Sequence, residues 1–201
     1  MGNILSSVLE HLQITFTGVL IAAVTGIVTG IAITKNKTAA GVVMSLTDVV
    51  QTIPSVALLA ILMMFFGLGN TTAIVALALY SLLPITRNTY VGITGVSKGL
   101  IEAGRGMGMT KMQLLFKVQI PIALPVILSG LRMAIITALG IATIGVLIGA
   151  GGLGYFIYRG VQVSNVSMIL KGAIPVSLLA VLTDVILQYT EKRMVKSAKQ
   201  S

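Results

Sequence analysis

The chain has 201 residues, 56% of them hydrophobic and only 9% charged, with a mean hydropathy of +1.02 and a formal net charge of +9. Soluble domains carry about a quarter charged residues, so this balance excludes an ordinary soluble domain and implies an integral membrane protein. Its cations lie between hydrophobic runs, which fits positive-inside topology and anionic headgroups rather than nucleic acid, and the absence of cysteine removes disulfides, thiolate nucleophiles and cysteine-ligated metals.

The N-terminus has no basic n-region and no evident small-residue cleavage site, so no signal peptide is expected. Met1-Gly2-Asn3-Ile4-Leu5-Ser6 fits the short, loose myristoylation pattern. The lone histidine, His11, cannot make a metal site and reads as a polar residue near a helix end. A transmembrane helix needs about 20 mostly apolar residues. The first such run is residues 13–34, closed by Lys35-Asn36-Lys37. Gly18, Ala22, Gly26 and Gly30 recur every fourth position in it, a small-residue ridge suited to close helix packing.

The second run, 39–66, is too long for one straight perpendicular helix and holds Asp48, Gln51 and Pro54. It reads as an approach helix followed by a span, or as one kinked helix. Gly67-Leu68-Gly69-Asn70 is a turn. The third span is 71–86, with Tyr80 and Pro84, ending at Arg87. A long polar segment, 88–120, follows. Pro121 opens the fourth span, to residue 149, which Gly149-Ala150-Gly151-Gly152-Leu153-Gly154 breaks. The fifth is 170–189, ending in Glu191-Lys192-Arg193, with Lys196 and Lys199 beyond.

Five spans place the termini on opposite sides. Eleven cations fall together on one side: Lys35, Lys37, Arg87, Lys98, Arg105, Lys111, Lys117, Lys192, Arg193, Lys196 and Lys199. The other side has Arg159 and Lys171, and Arg132 lies within the fourth span. The bias predicts the N-terminus outside and the C-terminus in the cytoplasm. Segment 88–120 is then cytoplasmic.

Residues 97–120 are amphipathic without being a span. Ile101, Met109, Met112, Leu115 and Phe116 can line one side of two short helices, with Lys98, Arg105, Lys111 and Lys117 toward water. Gly104 and Gly108, spaced i, i+4, bare backbone for a partner's approach. Glu102 is expected near the start of the first short helix, where a carboxylate favours the dipole. Physical chemistry alone leaves two readings open: a docking surface, or an interfacial helix lying on lipid headgroups.

Glu102, Ala103, Gly104, Gly108, Val118, Ile120 and Pro121 stand at the spacing E-A-[A/G]-x-x-x-G-x9-[I/V]-x-[L/I]-P. This resembles the EAA loop of importer-type ABC transporter permeases, with Gly104 where Ala is usual. Gln51-Thr52-Ile53-Pro54-Ser55 and Ala150-Gly151-Gly152-Leu153-Gly154 resemble the same family. Together these cover residues 12–190. The resemblance implies an all-α integral membrane fold of about five transmembrane helices with a cytoplasmic coupling helix, the type I ABC importer transmembrane fold. It implies coupling to an ATPase subunit through Glu102, Ala103, Gly104, Gly108 and Pro121. Gly69-Asn70 followed by Leu79-Tyr80-Ser81-Leu82-Leu83-Pro84-Ile85-Thr86-Arg87-Asn88-Thr89-Tyr90 most resembles the osmoprotectant branch, which serves glycine betaine, carnitine, choline and related quaternary amines.

Ionisable residues inside a bilayer are functional candidates by default; here they are Asp48, Arg132 and Asp184. Either an acid meets a ligand cation along the pathway, or Arg132 pairs with Asp48 or Asp184 and holds spans together; the structural pairing is favoured. Quaternary ammonium is best held by aromatic cages, with Trp foremost, and this chain has no Trp. The cage is therefore expected on an external binding protein. Tyr80, Tyr90, Tyr155 and Tyr158 offer weak contacts along the path, or serve as anchors and packing.

The expected protein is a non-catalytic permease subunit in a prokaryotic cell membrane, multi-pass, one domain over 1–201. No G-x-x-x-x-G-K-[ST] phosphate loop occurs, so no cofactor is expected on this chain; ATP and magnesium belong to a partner ATPase. The other expected partners are a second permease subunit, identical or homologous, an extracytoplasmic substrate-binding protein and the lipid bilayer, with no nucleic acid and no metal. Alternatives are a methionine-like amino-acid ABC importer, an ion-coupled secondary transporter using Asp48 and Asp184, and a scaffold without transport. The lack of an evident inverted repeat weighs against the secondary transporter.

Overall fold

The computed structural model describes residues 3–200, with side chains through residue 193. Met1 and Gly2, which begin the acylation-like pattern, lie outside the described residues, as do the side chains of Lys196 and Lys199. Helix α1 runs from Ile4 to Ile33, capped by Asn3, whose Oδ1 accepts from Leu5 N at 3.4 Å. Its 30 residues give about 45 Å at 1.5 Å per residue, longer than the hydrocarbon core. It begins well before residue 13 because the cap and the apolar positions before Glu10 let the helix start outside the apolar run.

The next passage is broken. Helix α2, Lys37–Thr52, starts at the Asn36 cap, and helix α3, Ser55–Phe66, departs from it at 100°. Pro54 causes the break. It has no N–H to donate and its ring forces Ile53 into extended backbone (φ −69°, ψ 126°). Helix α4, Asn70–Thr94, contains Pro84 yet continues. Arg87 therefore lies within a helix, two turns before its end, rather than closing it. The third passage extends past residue 86 because its polar residues find partners, Arg87 on Asp48 of α2 and Asn88, Thr89 and Thr94 on carbonyls one turn back in α4 itself.

Two short helices follow: α5, Lys98–Gly106, and α6, Lys111–Leu114. A π-helical turn, Leu115–Gln119, joins α6 to α7, Ile120–Ala142, which tightens into a 3-10 segment, Thr143–Ile148. Pro121 thus sits inside one helical run from Lys111 to Ile148 and does not open a new one. The π turn is where the ladder absorbs a residue without an N–H. Helices α8, Gly154–Gln162, and α9, Val166–Gln200, complete the chain. Helix α8 was not expected; it packs on α9 through Gly160 and Gly172, where an added Cβ would lie 2.7 Å from Ile169 and from Ile157.

Among the described residues four helices are long and apolar enough to cross a membrane, and the bent α2–α3 pair makes a fifth passage. That pair must cross. Helices α1 and α4 run parallel, Gly18 meeting Leu77, Gly26 meeting Ile85 and Gly30 meeting Thr89 at one constant sequence offset. The chain leaves α1 at one end and re-enters α4 at the other, so α2–α3 carries it across. The ridge is fully packed: Gly18, Ala22, Gly26 and Gly30 are all buried. The core joins α1, α4 and α7 around Val19, Leu77, Ile85, Ala134 and Leu139. Helix α9 is outermost, its apolar face from Leu170 to Tyr189 mostly exposed.

Candidate functional site

The α2–α3 break and the Pro84 region of α4 face each other. Pro84 cannot donate to the carbonyl of Tyr80, one turn earlier. Gln51 Nε2 takes that place, donating to Tyr80 O at 3.0 Å. In return the Tyr80 hydroxyl donates to Ile53 O, at the break itself. One proline frees a carbonyl, the other breaks a helix, and a Gln–Tyr pair fastens the two irregularities together. Asn88 Nδ2 caps the Pro84 carbonyl at 2.8 Å. The result is a cavity of about 470 Å3 whose lining includes Gln51, Ser55, Tyr80, Asn88, Met133 and Thr137. Its volume falls in the range of small-molecule sites. Polar groups are set among apolar ones in its lining, on helices apolar enough to cross a membrane, where irregular backbone is tolerated only if it is buried or lines a cavity.

Arg87 lines this groove as well, and Arg87 Nη2 donates to Asp48 Oδ1 at 2.7 Å and Oδ2 at 2.9 Å. Asp48 is therefore not a partner of Arg132. The two acids that meet Arg132 come from α9: Asp184 Oδ1 lies 3.1 Å from Nε, and Glu191 Oε2 accepts from Nη1 at 3.2 Å. The Asp184 contact is an ion pair without hydrogen-bond alignment, since Nε has no aligned acceptor. Glu191 extends the pairing beyond what the span boundaries suggested, because α9 continues as a helix past residue 189. Tyr80 is nearly buried and fixes backbone, with little ring face toward the groove; Tyr90, two to three turns further along α4, does not line it. Tyr155 lines a second cavity, of about 450 Å3, with Arg159 and Lys171 at the α8–α9 end.

At the same end as the start of α1, a polar clamp holds the glycine-rich turn. Asn70 Nδ2 donates to Glu10 Oε1 at 3.0 Å, Gly151 N to Asn70 Oδ1 at 2.8 Å, and Gly152 N to Glu10 Oε2 at 3.2 Å. A Cβ on Gly151 would lie 2.0 Å from the Glu10 carboxylate. His11 is buried beside it, its Nε2 3.1 Å from Leu139 O. Glu10 precedes the apolar run, so no periodicity marks it; the signal it carries is scarcity, as one of five acidic residues in the whole chain.

The 98–120 segment has a different geometry from the expected bare helix. Gly104 is buried, and an added Cβ would lie 2.6 Å from Leu114 Cδ1. It seats the second short helix on the first and offers no open backbone. Gly108 lies outside the helix, at φ +78° with open space around it. Gly108 N donates to Arg105 O at 2.9 Å and Met109 N to Gly104 O at 3.0 Å, the pattern of a Schellman cap that requires a left-handed residue. Glu102 is in the middle of α5, past the first turn, and is exposed, as are Ala103 and Pro121. Thr110 and Gln113 form a capping box that starts α6. The exposed side chains Leu100, Met107, Met112 and Phe116 stand among Lys98, Arg105, Lys111 and Lys117, an apolar and basic surface.

Comparison with known proteins places these features. Residues 3–196 match the family model described as binding-protein-dependent transport system inner membrane component. The chain is 46% identical to the glycine betaine/carnitine/choline transport system permease protein OpuCD of Bacillus subtilis (strain 168), over 96% of this chain and 85% of that one. It is 45% identical to a carnitine transport permease protein of Listeria monocytogenes, over 92% of this chain and 83% of that one. It is 39% identical to the osmoprotectant import permease protein OsmW of Salmonella typhimurium, over 91% of this chain and 87% of that one. Among solved structures, an inward-facing MetNI methionine ABC transporter superposes with a TM-score of 0.84 at 27% identity, covering 96% of this chain and 95% of that one.

Proposed function

The chain belongs to the binding-protein-dependent transport system inner membrane component family, and from that premise we propose that it forms the translocation pathway of an ATP-driven importer for quaternary-amine osmoprotectants such as glycine betaine, carnitine and choline. The observation that carries the reading is the joint presence of two devices in one chain. A groove with polar groups in its lining lies at the break between helices α2 and α3 and against α4, elements apolar enough to cross a membrane, and an exposed loop holds the Glu102–Pro121 pattern. The relatives named for these solutes are 39–46% identical, whereas the methionine transporter is 27% identical; shared fold alone does not carry a substrate.

The N-terminus faces outward and the C-terminus the cytoplasm. Two permease chains, identical or homologous, enclose the pathway, because the groove is open along one side. A partner ATPase binds ATP and magnesium and seats on the surface around Glu102, Ala103, Gly108 and Pro121, with Gly104 shaping it from beneath. Closure of the ATPase pair moves α5 and α6, and the continuous helix from Lys111 to Ile148 carries that movement into the membrane. An external binding protein delivers the solute and supplies most of the discrimination, since the groove has no exposed aromatic face.

The test is uptake of labelled glycine betaine into vesicles holding the chain with its ATPase and binding protein. Uptake is expected to require hydrolysable ATP and to survive collapse of ion gradients. Gly108→Arg should abolish uptake with the complex intact, while Gly108→Asn, which tolerates the left-handed backbone, should retain most of it. Gradient-driven uptake without ATP would replace the importer by a secondary transporter.

A further inference from the structure

Resting on the quaternary-amine reading above, we propose that Asp48 and Arg87 form an exchangeable ion pair that receives a zwitterionic ligand. The ligand carboxylate goes to the Arg87 guanidinium and its quaternary ammonium to the Asp48 carboxylate.

Four observations carry this. First, the pair borders the groove: Arg87 lines it, and Asp48 holds Arg87 Nη2 at 2.7 Å. Second, the pair is poorly suited to fastening. Its side chains are 48% and 47% exposed, and contacts between exposed charges contribute little to stability and break readily. Helix α2 is secured to α4 by Gln51 and Tyr80 instead. Third, the remaining lining is neutral. Gln51, Ser55, Asn88 and Thr137 offer hydrogen bonds but no charge, and Tyr80 turns its hydroxyl to Ile53 O. A cation in the groove therefore has Asp48 as its neighbouring countercharge, and a carboxylate has Arg87. Fourth, the other intramembrane arginine is committed elsewhere, to Asp184 and Glu191 across the α7–α9 seam.

The chemistry then sorts ligands. A zwitterion replaces one ion pair with two, leaving no charge unpaired. A bare cation must separate Asp48 from Arg87 and leave the guanidinium without a partner. Removing Arg87 therefore harms carboxylated ligands and relieves cations. Removing Asp48 harms cations more, since they lose their countercharge and face an uncompensated guanidinium.

The experiment measures initial uptake of glycine betaine and of choline in vesicles holding the full complex with saturating binding protein, normalised to complex abundance. In Arg87→Gln the choline-to-betaine ratio should rise by about tenfold, the factor for ~1.4 kcal/mol of differential interaction. In Asp48→Asn the ratio should fall. Where the wild type takes one of the two ligands, the variant lacking the matching charge must lose more of it than the other variant. Parallel losses in both variants, or an unchanged ratio in either, would overturn the site while leaving the importer reading in place. A wild-type complex that carries neither amine but drives another solute with ATP would overturn the quaternary-amine reading, and this ligand assignment with it.

Discussion

The α1–α4 seam and the groove at the α2–α3 break are both built on α4, and opposite means made them. Along the seam, glycines remove side chains so that two backbones meet, and no space remains. At the groove, prolines remove N–H groups, and the freed or misdirected carbonyls become anchor points for Gln51, Tyr80 and Asn88. The seam holds one rigid unit together. The groove is an opening of mixed polar and apolar lining whose shape rests on a handful of side-chain hydrogen bonds. One helix can therefore be fixed on one face and adaptable on the other.

The largest effect is expected at the seam. In Gly30→Leu the first added carbon would lie 2.6 Å from Thr89 Cβ and 2.9 Å from Thr86 O, so α1 must lift away. The loss should be about 3 kcal/mol or more, at the upper end of overpacking, read as a collapse of complex abundance in membranes. Wild-type abundance would mean the two helices are free to separate.

Next is the fastening charge set. Arg132→Gln leaves Asp184 and Glu191 unpaired beside α7. Arg132 and Glu191 are 25% and 24% exposed, so the destabilisation should fall below the ~3–5 kcal/mol of a fully buried pair broken on one side. Melting temperature and abundance should drop, with betaine and choline uptake falling in parallel. A ligand-selective defect here would move the substrate site from the groove to the α7–α9 seam.

Pro84→Ala separates shape from stability. Alanine restores an N–H that competes with Gln51 for the Tyr80 carbonyl, and the helix interior gains rather than loses propensity. Thermal stability should hold or rise while uptake falls several-fold. Unchanged uptake would show that the α4 irregularity is incidental. The smallest effect is expected at Gly104→Ala. The new methyl meets the flexible ends of two side chains, Leu114 Cδ1 at 2.6 Å and Met109 Sδ at 3.3 Å, both able to give way, so stability should change by no more than about 0.5 kcal/mol with coupling preserved. A large coupling defect would mean that the ATPase touches Gly104 itself.

These contrasts also mark what was legible beforehand. The ridge at Gly18, Ala22, Gly26 and Gly30 is periodic within one helix, and the loop pattern from Glu102 to Pro121 is local in sequence; both stood out. What one segment's periodicity cannot carry is the identity of a distant partner. Asp48 and Arg87 lie 39 positions apart, and charge balance alone leaves Asp48 and Asp184 as equal candidates for Arg132, where the geometry pairs Arg132 with Asp184 and Asp48 with Arg87. Pro84 and Arg87 resemble stop signals in sequence, yet helix α4 runs on to Thr94, since the lost hydrogen bond is made good by Gln51 from another helix. The spacing of Gly104 and Gly108 suggests one shared role. Backbone conformation separates them, the first buried under Leu114, the second held at positive φ. Helix α8 was hidden by its shortness and by the glycines around it.

The central claim, that the groove is the water-accessible path and the seam is not, can be tested directly in this cysteine-free chain. Single cysteines at Thr137, in the groove, and at Ala22, in the seam, would be exposed to a small membrane-impermeant thiol reagent across the transport cycle, in complexes reconstituted with ATPase and binding protein. Thr137→Cys should react, at a rate that changes when ATP is trapped on the complex, and Ala22→Cys should stay unreactive in every state. Equal protection of both positions throughout the cycle, in complexes that still transport, would contradict the account.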